Sequence, residues 1–176
     1  MASYAFVESR IMPKQAIASI ISTTAAVPVG TIVRAKDATL GEGEFIYLPT
    51  TASITQFNLT SWRQNVSSGT YTNVRAVSGA SLGTMFGVAQ ATGQASCFGW
   101  FQISGTSKVL KTAVIMSVNK PVAVSTTAGR IRQVASTGRG IIGMVANGTG
   151  AATNSAASAG LSTVVCTFNR PAQMAT

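Results

Sequence analysis

The side chains that could do chemistry are few: four carboxylates (Glu8, Asp37, Glu42, Glu44), two thiols (Cys97, Cys166) and no histidine in 176 residues. Without histidine the commonest general base and the commonest transition-metal ligand are gone, and hydrolase triads built on histidine are excluded. Glu42 and Glu44 can share one strand face, as a pair of catalytic acids would. Beside a glycine turn, however, such a pair reads first as a solvated loop. Asp37, Glu42 and Glu44 together could offer oxygens to a hard cation such as calcium, whereas zinc wants more than two cysteines when histidine is absent. Gly138-Arg139-Gly140-Ile141-Ile142-Gly143 spells GxGxxG. That motif cradles phosphate only between a strand and a helix, and here it leads into a strand-like run. A Ser–Lys dyad cannot be located by spacing in a chain so rich in Ser and Thr. Phe98, Trp100 and Phe101, with Arg130 and Arg132 elsewhere, could stack on single-stranded nucleic acid. The competing reading is a core strand with Trp at its margin. The three Asn-x-Ser/Thr sites at Asn58, Asn65 and Asn147 carry weight only in a secreted chain. The residues therefore point to no catalytic centre, cofactor or metal.

The charge balance looks to a partner. Thirteen basic residues face four acids, for a net charge of +9, and no carboxylate side chain follows Glu44. Only 10% of residues are charged, against about 25% in ordinary soluble domains. Much of the surface must then be Ser, Thr, Asn, Gln, Gly and small apolar residues, which suits a surface covered in the working state. The basic residues are scattered, with Arg130, Arg132 and Arg139 the nearest to a patch. That disfavours direct nucleic-acid binding and favours an acidic protein partner. No apolar run reaches the roughly 18 residues of a membrane span. The N-terminus lacks the pattern of a secretory signal, which implies assembly in a cytosol. Both cysteines sit in apolar strand-like runs and read as buried small hydrophobes rather than a disulfide.

The elements that position these residues read as short strands separated by Gly, Ser, Thr and Asn. Alternation places strands at Thr31–Lys36, Glu44–Leu48, Trp62–Val66, Thr70–Val77, Thr84–Gln90, Ser96–Ser104, Pro121–Ser125, Arg130–Val134, Ile141–Ala146 and Leu161–Asn169. Ser96–Ser104 is apolar on both faces and so central, Thr126–Gly129 is a hairpin turn, Ile141–Ala146 is a buried strand, and Arg170-Pro171 closes the last strand. Asn147–Gly160 is a long low-complexity loop. Strands recurring without long helices predict a mainly β fold: one compact β-sandwich or barrel-like domain, of jelly-roll or β-tulip type. It spans residues 28–171, after an N-terminal arm (1–27) and before a short tail (172–176). The arm is extended or carries a short helix over Lys14–Ser22. Its apolar residues Ile11, Ile17, Ile20 and Ile21 are the candidate partner-binding set, lying on a neighbour or on their own domain. Deleting residues 1–24 is expected to leave a folded domain.

A resemblance follows from particular runs: Glu44–Leu48, Phe86–Gln90, Gly99-Trp100-Phe101-Gln102-Ile103-Ser104-Gly105, Lys120-Pro121-Val122, Thr127–Ile131, Ile141–Ala146 and Val164–Pro171. Together, over roughly residues 28–171, they resemble the head decoration (cement) and related small structural proteins of tailed bacteriophages. The resemblance is one of structural strands and transfers no catalytic site. It implies a β-domain on the outer surface of a virion capsid, made in the host cytoplasm, whose partners are the major capsid protein and itself. A homotrimer is the first expectation and a homodimer the second. A minor tail, tail-tube or head–tail joining protein is the alternative within the structural class.

Overall fold

β-Branched and aromatic residues alternating with small polar ones leave this chain little but strands to form. The computed structural model describes residues 4–6, 16–20, 22–77, 84–112, 115–133, 140–147 and 162–173. Among them are eleven strands and no helix. These are β1 (Tyr4–Phe6), β2 (Ile32–Asp37), β3 (Gly41–Pro49), β4 (Leu59–Gln64), β5 (Tyr71–Arg75), β6 (Met85–Ala89), β7 (Phe98–Leu110), β8 (Pro121–Val124), β9 (Ile131–Gln133), β10 (Gly140–Ala146) and β11 (Thr163–Gln173). All strand pairs are antiparallel, in the order β1-β2-β3-β7-β6-β11-β10-β8-β9, with the β4–β5 hairpin joined through β6. The domain is mainly β, sandwich- or barrel-like, as the strand spacing predicted.

β7 is the spine. Its 13 residues span about 43 Å at ~3.3 Å per residue, long enough to serve three partners. Phe98–Gly105 pairs with β3, Phe101 and Gln102 pair with β6, and Ser104–Leu110 pairs with β11. Beyond Leu110 a bridge from Lys111 to Ile131 ties the end of β7 to β9. The strands β7, β11, β10, β8 and β9 thereby close around a core that includes Val109, Val122, Ile131, Met144, Cys166 and Phe168.

At the other end both faces of the β3–β7 pair are buried, as predicted for a central strand. Ile46, Leu48, Phe101 and Ile103 pack on one side. Phe45, Tyr47 and Trp100 pack on the other, with the Tyr47 and Trp100 rings 4.9 Å apart. Where the two cores meet, buried amides replace apolar contact. Gln90 Nε2 donates to Gln102 Oε1 (3.0 Å) and Ser107 Oγ (3.1 Å), and Gln102 Nε2 donates to the carbonyls of Ser104 and Thr106. Those bonds hold the chain where β7 changes partners, since buried polar groups must find partners.

The N-terminal segment belongs to this body rather than standing apart from it. Ile20 makes a parallel bridge to Gly93, and the Phe98 amide donates to the Ser22 carbonyl (2.8 Å). Ile17 is buried beside Tyr47 and Trp100, and Ile20 beside Leu48 and Phe101, so the segment reaches both sides of the β3–β7 pair. The described residues 16–20 contain a turn and this bridge rather than the short helix over Lys14–Ser22, one of the two alternatives, the other being an extended arm. The cause is tertiary: pairing with Gly93 and burial of Ile20 outweigh a weak local helical pattern.

Candidate interaction face

The sequence candidates divide on structure. Ile17 is 2% and Ile20 0% exposed, so of the two alternatives these two residues pack on their own domain. Ile11 and Ile21 lie outside the described residues, as do most of the Asn147–Gly160 loop and Arg139. Trp100 and Phe101 are fully buried and give nucleic acid no stacking surface. The described part of the GxGxxG run, Gly140 to Gly143, is strand β10. Both cysteines are buried and free, and burial pushes the Cys166 thiol up to about 12, leaving it neutral at physiological pH.

The described carboxylates are absorbed locally, while Glu8 lies outside the described residues. Asp37 Oδ1 accepts the amides of Thr39 and Leu40, both at 2.8 Å, and so caps the β2–β3 turn. Glu42 stands across the ladder from Lys36 and Glu44 from Arg34, while Arg170 on β11 reaches Glu44 at 3.4 Å. Among the described residues no group of three or more His, Cys, Asp and Glu could hold a metal ion, and no helix is long and apolar enough to cross a membrane. A surface hollow of about 360 Å³ lies beside β4 and β5, lined by Ser61, Trp62, Arg63 and Thr72 among others. No carboxylate or thiol lines it.

The register instead assembles one open face. Arg34, Glu44, Ser104 and Asn169 stand side by side across β2, β3, β7 and β11. One row further on, Thr106, Thr167, Val145 and Pro121 stand side by side across β7, β11, β10 and β8. Partners in an antiparallel ladder project to the same side, so these rows form a single surface. It is charged at β2–β3 and hydroxyl-rich in the middle, where Thr106 and Thr167 hydroxyls are 3.1 Å apart. At β10 it is apolar, with Ile142 56% and Val145 40% exposed, and at the β2 edge Ile32, on the same side as Arg34, is 46% exposed.

That apolar end corrects the reading of Ile141–Ala146 as a fully buried strand. Ile141, Met144 and Ala146 do enter the core. A bulge changes the alternation between them. Gly143 has φ 74°, a backbone region open to glycine and strained for other residues, and Asn169–Pro171 of β11 lies opposite it in a register shift. Inward positions therefore fall at 141 and 144, outward ones at 142 and 145, a spacing of three that a period-2 reading misses. The same bulge lets β11 run on to Gln173 instead of ending at Arg170-Pro171. Arg170 takes φ 43° there, and proline is tolerated in a sheet chiefly at such irregular points.

A scan against protein-family models finds no match, and searches of curated proteins and of solved structures find none either.

Proposed function

We propose that this chain is a virion structural protein that binds the outer surface of a tailed-phage capsid and clamps neighbouring capsomers. The reading is supported first by the resemblance of its strand sequence to head decoration proteins. The observation that carries it is the open face running from β2 to β8, which ends in uncovered Ile142 and Val145. Five inter-strand steps and the seven residues of β10 give that face roughly 24 Å by 23 Å. This is the order of the ~800 Å² each partner contributes to a stable interface. A lattice that repeats the contact many times needs only modest affinity at each.

The described reactive groups are spent on structure: Asp37, Glu42 and Glu44 on a turn and cross-strand pairs, the thiols on the core. A minor tail, tail-tube or head–tail joining role uses the same kind of face. Copy number separates the two readings. Quantitative mass spectrometry of purified virions should find hundreds of copies per particle for decoration, whereas tens or fewer place the protein at the tail or connector. A homotrimer is the preferred assembly and a homodimer the second.

A further inference from the structure

We infer that the β8–β10–β11 end of the open face is the surface that meets the capsid, and that the capsid presents an apolar spot rimmed by carboxylates there. This rests on the decoration reading and adds the orientation of the molecule on the lattice. Three observations carry it. First, Ile142 and Val145 are exposed on neighbouring outward positions of β10, with Pro121 of β8 and Thr167 of β11 opposite Val145 and Ala172 of β11 opposite Ile142. Exposed apolar groups so close together mark a contact surface rather than a solvated one.

Second, the charge at this end has one sign. Lys108 pairs with Val165 on the face, and Lys120 stands at its margin before Pro121; both are exposed. The three acids described in the fold, Asp37, Glu42 and Glu44, sit on the β2–β3 hairpin. There Lys36 and Arg34 face the two glutamates, so that end is already neutralised. A second copy docking through this same end would set lysines against lysines with no carboxylate side chain between them among the described residues, which opposes self-association. An acidic partner gains from the same arrangement.

Third, Ile142 and Val145 project outward because Gly143 resets the alternation at the bulge. An outward apolar pair at irregular spacing is what remains when the inward residues of β10 are already committed to the core. Nucleic acid is a poorer match, because the two lysines described on this face, Lys108 and Lys120, stand apart around an aliphatic centre and offer few phosphate contacts.

The test uses the full chain and purified, undecorated capsids of the phage that encodes it. Ile142→Asp and Val145→Asp should each weaken capsid binding by at least about tenfold, as truncating a central contact does. Lys108→Glu with Lys120→Glu, which touches no core residue, should slow association and flatten its salt dependence. Arg34→Ser at the far end should bind as wild type does. Circular dichroism and the unfolding midpoint check that each variant is folded, and the lysine pair decides the matter if the aspartate variants are not. Binding of all folded variants within twofold of wild type overturns the orientation and leaves the decoration reading standing. Altered oligomeric state with unchanged capsid binding overturns it in favour of a self-interface. Wild-type protein that binds no capsid overturns both.

Discussion

Ile20 occupies a seat that exists only because two distant residues have no side chain. A Cβ at Gly93 would fall 2.7 Å from the Ile20 Cβ, and one at Gly99 would fall 3.0 Å from it. Gly99→Ala therefore places a methyl where the Ile20 side chain already lies. Its neighbours there, Leu48, Ile54 and Phe101, are buried and cannot yield. Overpacking of this kind costs about 1–3 kcal/mol. Ile20→Ala empties the seat instead and costs about 2–5 kcal/mol, as expected for a fully buried isoleucine. The decisive quantity is the double variant. With Ile20 truncated the Gly99 methyl no longer meets the two Cγ atoms, although the Cβ of residue 20 still lies 3.0 Å away, so Ile20→Ala/Gly99→Ala should lose less than the two single losses added together. The coupling is then favourable and at most about 1–3 kcal/mol. Urea unfolding of the four proteins measures it, provided the slope m is common to all. Additive losses, or a Gly99→Ala variant as stable as wild type, would refute the claim that the N-terminal segment is locked into the body. The same geometry bears on deletion of residues 1–24. Removing Ile17 and Ile20 uncovers both sides of the β3–β7 pair, so the shortened chain should be markedly destabilised rather than merely weakened in binding.

Other outcomes follow from single sites. Glu44→Gln breaks the ion pair with Arg170, which is 54% exposed, and should change stability by less than about 1 kcal/mol in thermal unfolding. In native protein at pH 8 neither thiol should react with a disulfide reagent, and both should react after denaturation. Because the Cys166 pKa is raised from 9.0 to about 12, its contribution to stability is full below about pH 9 and is lost as pH rises towards 12. Lys111 behaves oppositely. It is buried, and burial lowers its pKa from 10.5, so holding it charged costs stability at neutral pH. That cost shrinks as pH rises from the depressed folded value towards 10.5. Lys111→Met should raise the unfolding midpoint at pH 7, with the gain over wild type narrowing near pH 10. A constant gain, or a loss at pH 7, would count against the burial cost.

The strands were largely legible because alternation is a local signal. TIVRAK, EFIYL and the start of β7 announced themselves by their branched and aromatic residues. The Thr126–Gly129 turn appears where expected, with Gly129 at φ 76°. What stayed hidden depends on residues far apart in the chain. β7 continues to Leu110 through Ser104, Thr106 and Ser107, polar residues that look like a loop until their cross-strand partners on β11 are known. The seat of Ile20 depends on glycines 73 and 79 residues further along the chain, and nothing near Ile20 signals them. The open face was missed for the reason that creates it. IIGMVA is uniformly apolar, and only the bulge at Gly143 divides it into inward Ile141 and Met144 and outward Ile142 and Val145.

The most direct test of the proposed decoration role is sedimentation of purified protein with undecorated tailed-phage capsids, counting bound copies per particle at saturation. The account predicts saturable binding at a stoichiometry that matches the threefold, or failing that the twofold, positions of the lattice. Protein that stays in the supernatant at every concentration, with capsids intact, would contradict it.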